Sequence, residues 1–233
     1  FNLEFLIYTD FEVLYLYLND EEPFWIATDK ALDRGREIDS DKQRLAVLLY
    51  RIEGLLQFKR DFDACSKMLN EAGELLKNVE SDHLECRYYQ DILKLAVETE
   101  NVQPPDPEKL NILISKHVNQ TLKPRVLYLQ ARLALGNGLY DRARDLLSEA
   151  SGLAEVQNQR NLLWKIKFSQ GKIERTLLNY EEAYVNFKKS VTILKSIAQT
   201  INRKDYLQNF LQHPMAMSLK REIMDLARRM GQK

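Results

Sequence analysis

A short series of residues in the second half of this chain returns 40 positions later: Ala131, Tyr140, Ala143, Leu147 and Ala150 are answered by Gly171, Tyr180, Ala183, Phe187 and Ser190. Small, aromatic, small, large and small side chains at one fixed offset mark stacked helical hairpins, because each hairpin exposes an apolar face that only its neighbour covers. The series predicts an all-α chain, a solenoid of antiparallel hairpins whose long surface is open to a partner.

Composition narrows the partner. With 34 basic and 34 acidic residues the net charge is zero, which argues against the general phosphate-binding surface that nucleic-acid proteins need. Any recognition by charge must be local. Only 8 glycines and 6 prolines interrupt the chain, a balance that favours long helices. Cys65 and Cys86 are too few for a disulfide framework and are expected to be reduced and structural. His83, His117 and His213 stand far apart with no metal-ligand spacing, so no metal and no other cofactor is expected. The apolar opening, 1–18, is interrupted by Glu4, Asp10 and Glu12 and has no basic residue before it. It reads as neither a transmembrane helix nor a signal peptide, which gives the expectation of a cytoplasmic setting without a membrane partner. The lack of an initiating Met gives the expectation of a piece of a longer protein.

Helix starts and stops recur along the chain. Asp20-Glu21-Glu22-Pro23, Asp39-Ser40-Asp41 and Ser81-Asp82 open helices, Lys59-Arg60-Asp61 and Gly136-Asn137-Gly138 turn them, and Pro124 and Pro214 begin others. Pro104-Pro105-Asp106-Pro107 reads as a loop within a hairpin, since helical pattern resumes at once. The expected organisation is one repeat domain over 1–233, with hairpins 1–38, 40–78, 81–120, 123–156 and 158–200 and a cap over 203–231. Phe11, Val13, Tyr15 and Tyr17 alternate as a strand would, but a solenoid offers no sheet to join, so this segment is assigned a helix.

Gly138-Leu139-Tyr140-Asp141-Arg142-Ala143, with Ala131 and Ala150, resembles the signature of the tetratricopeptide repeat family. Leu178-Asn179-Tyr180-Glu181-Glu182-Ala183, with Gly171, Phe187 and Ser190, repeats it. Lys59 to Cys65, with Leu69 and Ala72, and Phe24-Trp25 with Ala31 and Leu32, are fainter copies. The resemblance implies a right-handed solenoid, close helix approach at the small positions and an aromatic ring in the hairpin crook. The chain departs from it in period, near 40 residues against the usual 34 or so, and in lacking the closing proline. Longer repeats of this kind resemble those in helical arms of bacterial regulators and signalling ATPases.

No phosphate loop, nucleophile elbow or H-E-x-x-H motif is present, so a non-catalytic role is expected. A sharper pattern lies in the first helices of four hairpins, each with two basic residues seven apart: Arg44 and Arg51, Arg87 and Lys94, Arg125 and Arg132, Lys165 and Lys172. Two turns separate each pair, so its members share a helix side. By the resemblance, the last two pairs fall at positions that line the concave groove, where a basic stripe would engage the carboxylates of an acidic peptide or protein segment. Tyr128 and Phe168 follow Arg125 and Lys165 by three residues and would add aromatic anchors. The competing readings are a solvated face for the cations and core packing for the rings. Met215, Met217, Met224 and Met230 crowd the last helix, which reads either as the terminal cap or as a surface for a second copy. The functional expectation is a protein-binding scaffold. A regulatory arm that senses a ligand or peptide within a larger signalling protein is the alternative.

Overall fold

The computed structural model describes residues 3–78, 90, 91, 93, 94, 97, 123–229 and 231. It packs as two compact units, residues 1–113 and 114–233, and the division falls inside the expected hairpin 81–120, nearly all of which lies outside the described residues. Among the described residues every regular element is a helix.

In the first unit, α1 (Leu3–Leu18) takes in the alternating aromatic segment and is followed by α2 (Glu21–Glu37), α3 (Asp41–Gly54), a five-residue π turn (Leu55–Lys59) and α4 (Phe62–Asn78). Each helix packs on the next, and α1 also touches α3. The second unit holds α5 (Lys123–Gly136), α6 (Tyr140–Val156), α7 (Arg160–Thr176), α8 (Tyr180–Ala198), α9 (Lys204–Leu211) and α10 (Pro214–Arg229). There, α5 to α8 pack in sequence, α5 also touches α7, and α8 carries α9 and α10.

The period of 40 has a local cause. Helices α6 and α7 are 17 residues long, and three-residue turns follow them, so a helix and its turn take 20 residues. Gly138, Asn158 and Leu178 occupy the left-handed region at φ 72°, 54° and 64°. The next amide of each turn donates back to Ala134, Ala154 or Glu174, at 2.8 Å in every case. Each left-handed amide itself donates at 3.1 Å to Leu135, Glu155 or Arg175. This pair of bonds satisfies carbonyls that the helix end would leave orphaned. Leu139, Gln159 and Asn179 then lie at φ near −80° and ψ of 62° to 67°, the inverse γ conformation, and launch the next helix. The three turns share one geometry, so each joins its helix to the next in the same way.

The first unit uses the same device at Asn19 and Asp39, with φ 56° and 48°. Its third left-handed residue is Arg60, one position later than a spacing of 20 would place it. The π turn before it absorbs the added residue, and the Arg60 amide closes on Leu55 O at 2.6 Å. Capping follows the sequence signals: the Ser40 hydroxyl accepts from the Gln43 amide at 3.4 Å, and Asp61 Oδ1 from the Ala64 amide at 2.9 Å.

Small residues sit where paired helices meet. Ala131, Ala143, Ala150, Ala183 and Ser190 are fully buried, and Ser190 Oγ donates to Trp164 O at 2.7 Å across the α7–α8 contact. Cys65 is also buried; its thiol, 3.8 Å from Ile52 O, is pushed up to about 11 by burial, which suits a packing role. The first unit is filled by Leu45, Leu49, Ile52 and Leu69, the second by Leu147, Ile166 and Ile173. Each such side chain contributes about 2 kcal/mol by leaving water. On α10, Ala216, Leu219 and Leu226 are buried while Met217 and Met224, seven residues apart, are exposed. The inward stripe covers α8, as a cap does.

Candidate protein-binding face

Helices α5 and α7 carry the two in-register basic pairs and lie in contact with one another. Arg125, Arg132 and Lys165 are half-buried and Lys172 is exposed. Lys172 Nζ stands 5.9 Å from the centroid of the Phe168 ring, and Lys165 Nζ 5.9 Å from that of Trp164, both within reach of a cation–π attraction. The rings beneath are not presented outward. Tyr128 is 6% exposed and Phe168 4%, the latter packed 5.7 Å from Phe187.

An ion pair joins α7 to α6. Arg144 of α6 donates through Nε and Nη2 to the two carboxylate oxygens of Glu174 on α7, at 2.9 and 3.3 Å, and Asn179 donates to the same carboxylate at 2.8 Å. Burial alone would push the Glu174 carboxyl up. The hydrogen bonds from Asn179 and Arg144 outweigh it and hold the group below the usual carboxylate value. The Arg144 guanidinium is in turn held above its ordinary value by Glu174. Helix α6, helix α7 and the turn after α7 are thus tied at one point.

The other expected pairs stand differently. Arg87 lies outside the described residues, and Lys94 is exposed. Arg51 reaches from α3 back onto α2, where it donates to Thr28 Oγ1 at 3.1 Å, pairs with Asp29 and lies 5.4 Å from the Trp25 ring. Arg44 pairs with Asp41 on its own helix at 3.1 Å. Arg51 is therefore a tie between two helices, and sequence spacing could not separate that role from a groove position.

Burial singles out Glu12, which spacing did not. Its side chain is fully enclosed, neither carboxylate oxygen has a hydrogen-bond partner, and burial pushes it up to about 9 despite the field of Arg51. A carboxyl in such a place is neutral at pH 7. No described helix is long and apolar enough to cross a membrane. Compared with protein-family models and with curated proteins, the chain matches none.

Proposed function

We propose that the α5–α7 face binds an acidic segment of a protein partner, and that the chain is a non-catalytic scaffold built from tetratricopeptide-like hairpins. The observation that carries the reading is Lys172, exposed over the buried Phe168 ring and on the same side of α7 as Lys165. Cations held over rigid aromatic beds lose little side-chain freedom on binding, so their pairing with carboxylates is offset by less entropy. The hairpin reading is supported by the repeated turns at 138, 158 and 178, by the contact of alternate helices α5 and α7, and by the small residues buried between paired helices. A right-handed superhelix within each unit, in a cytoplasmic setting, completes the proposal.

Reversing Arg132 and Lys172 to Glu tests it. Pull-down from lysate with the parent and with this double variant, both checked for unchanged helicity, should recover an acidic partner with the parent alone. Recovery should weaken as salt rises, because such charges are only partly shielded from solvent. Identical recovery by both proteins would overturn this face as the site.

A further inference from the structure

A second surface lies on the opposite side of α7. Leu163 and Lys167 fall about half a turn around that helix from Lys165 and Lys172, given about 100° per residue. Together with α6 and α8 they form an open trench. Its two continuous parts are about 430 and 310 Å³ in volume and share Glu155, Thr192 and Ile193. The trench follows from the packing: α5 and α7 touch, while α6 and α8 stand apart over the flank of α7.

One face of α8 forms its wall. Val185, Lys188, Lys189, Thr192, Ile193 and Ser196 follow the i, i+3, i+4, i+7 spacing of a single helix side. From Val185 to Ser196 that side runs about 16 Å at the α-helical rise, the length of three turns of a second helix. The apolar content is Val185, 42% exposed, over a floor of half-buried Ile193 and of Leu163, which belongs to the core and is 9% exposed. Charge is one-sided. Lys167, Lys188, Lys189 and Arg160 line the trench against the single carboxylate of Glu155, which Lys167 already neutralises at 3.2 Å. Among the described residues, Lys188 and Lys189 have no carboxylate partner. Lys188 Nζ instead lies 4.9 Å from the Tyr184 ring. An apolar strip with basic edges, the length of a short helix, is complementary to an amphipathic helix with acidic edges.

We infer that the α6–α8 trench docks an acidic amphipathic helix of a partner protein, about three turns long. The partner's apolar stripe lies on Val185, Leu163 and Ile193, and its carboxylates face Lys188, Lys189 and Arg160. The site is separate from the α5–α7 face, so the two stand or fall independently.

The probe is a synthetic twelve-residue peptide with Leu at helical spacing and Glu elsewhere, compared with a peptide of the same composition scrambled to remove the stripe. Binding is followed by fluorescence anisotropy. The parent should bind the amphipathic peptide and bind the scrambled one at least about tenfold more weakly. Lys188→Glu with Lys189→Glu should cost a similar factor, and Val185→Asp should do the same without touching a cation, both read in an Arg132→Glu, Lys172→Glu background that keeps the acidic probe off the α5–α7 face. Two results overturn the inference: equal binding of both peptides, which is charge attraction alone, or unchanged affinity in both trench variants. Circular dichroism of each variant confirms that lost binding is not lost folding.

Discussion

Gly171 lies against the ring of Phe187 so closely that a Cβ at this position would come within 2.5 Å of two ring carbons. The two residues are 16 apart, on paired helices α7 and α8, and their contact sets how near those helices approach. Gly171→Ala must push the ring or the helix aside, and overpacking of this kind costs about 1–3 kcal/mol. Phe187→Leu in the same background should recover part of that loss, so a double-mutant cycle in urea melts is expected to give a clear coupling energy. The ring of Phe24 closes off Gly54 in the first unit in the same way, and Gly54→Ala should be at least as costly.

Leu178 holds the left-handed position that Gly138 holds 40 residues earlier, at φ 64° and with 68% of its surface exposed. A branched side chain there costs about 1–2 kcal/mol in local strain and gains almost no burial. Leu178→Gly is therefore expected to raise the melting midpoint, by about 0.5–1 kcal/mol after the added chain entropy of glycine is subtracted. Gly138→Leu should move it the other way by a similar amount. Thermal melts of both variants check the pair of signs.

Glu12 predicts a loss of stability on the alkaline side. Its folded-state carboxyl is raised to about 9, so between the ordinary carboxylate value and pH 9 the unfolded chain is ionised and the folded chain is not. The contribution of the neutral Glu12 carboxyl is fully present below about pH 4.5 and is lost as pH rises toward 9, by up to about 1.4 kcal/mol per unit. Glu12→Gln keeps the shape and removes the titration. Urea melts at pH 5 and pH 8 should show the variant more stable than the parent at pH 8, with the difference much reduced at pH 5.

His213 predicts the opposite limb. It precedes Pro214 as the cap of α10, with Nδ1 accepting the Met215 amide at 3.2 Å and the ring set edge-on to Trp164 at 5.9 Å. An imidazole accepting at Nδ1 cannot be protonated there. Burial, aided by the charge of Lys165, lowers it to about 4. The unfolded chain takes up its proton near pH 6.5, so stability is lost as pH falls from 6.5 to 4, by at most about 1.4 kcal/mol per unit for this partly exposed group. His213→Asn retains a capping side chain and should flatten that limb in acid titrations followed by circular dichroism.

Helix identity and turn position were legible in the sequence because both are decided within a few residues. The 40-residue series leads to helices within 158–200, where α7 and α8 lie, and Ser40 caps α3 as its position implies. The opening segment was ambiguous by alternation alone, and its assignment as helix agrees with α1. The π turn was not legible. An added residue in a helix leaves no compositional mark, and only the displaced turn at Arg60 reveals it. Gln90, Gln130 and Gln170 also stand 40 apart, and Gln90 Nε2 donates to Leu69 O at 2.8 Å in the interior of the first unit.

Sequence by itself determined which side of each helix is apolar, because that depends on a period of 3.6 residues along one element. It placed Arg125 with Arg132 and Lys165 with Lys172, and it put Tyr128 and Phe168 beside them. Only the tertiary structure decided that the two rings lie under neighbouring helices while Lys172 stays in solvent. It likewise drew Arg51 back onto α2, buried Glu12 without a partner, and opened the trench between α6 and α8. Each of these outcomes depends on how far apart two helices come to rest. That distance is set by pairs such as Gly171 and Phe187, whose members meet only after the chain has turned back on itself.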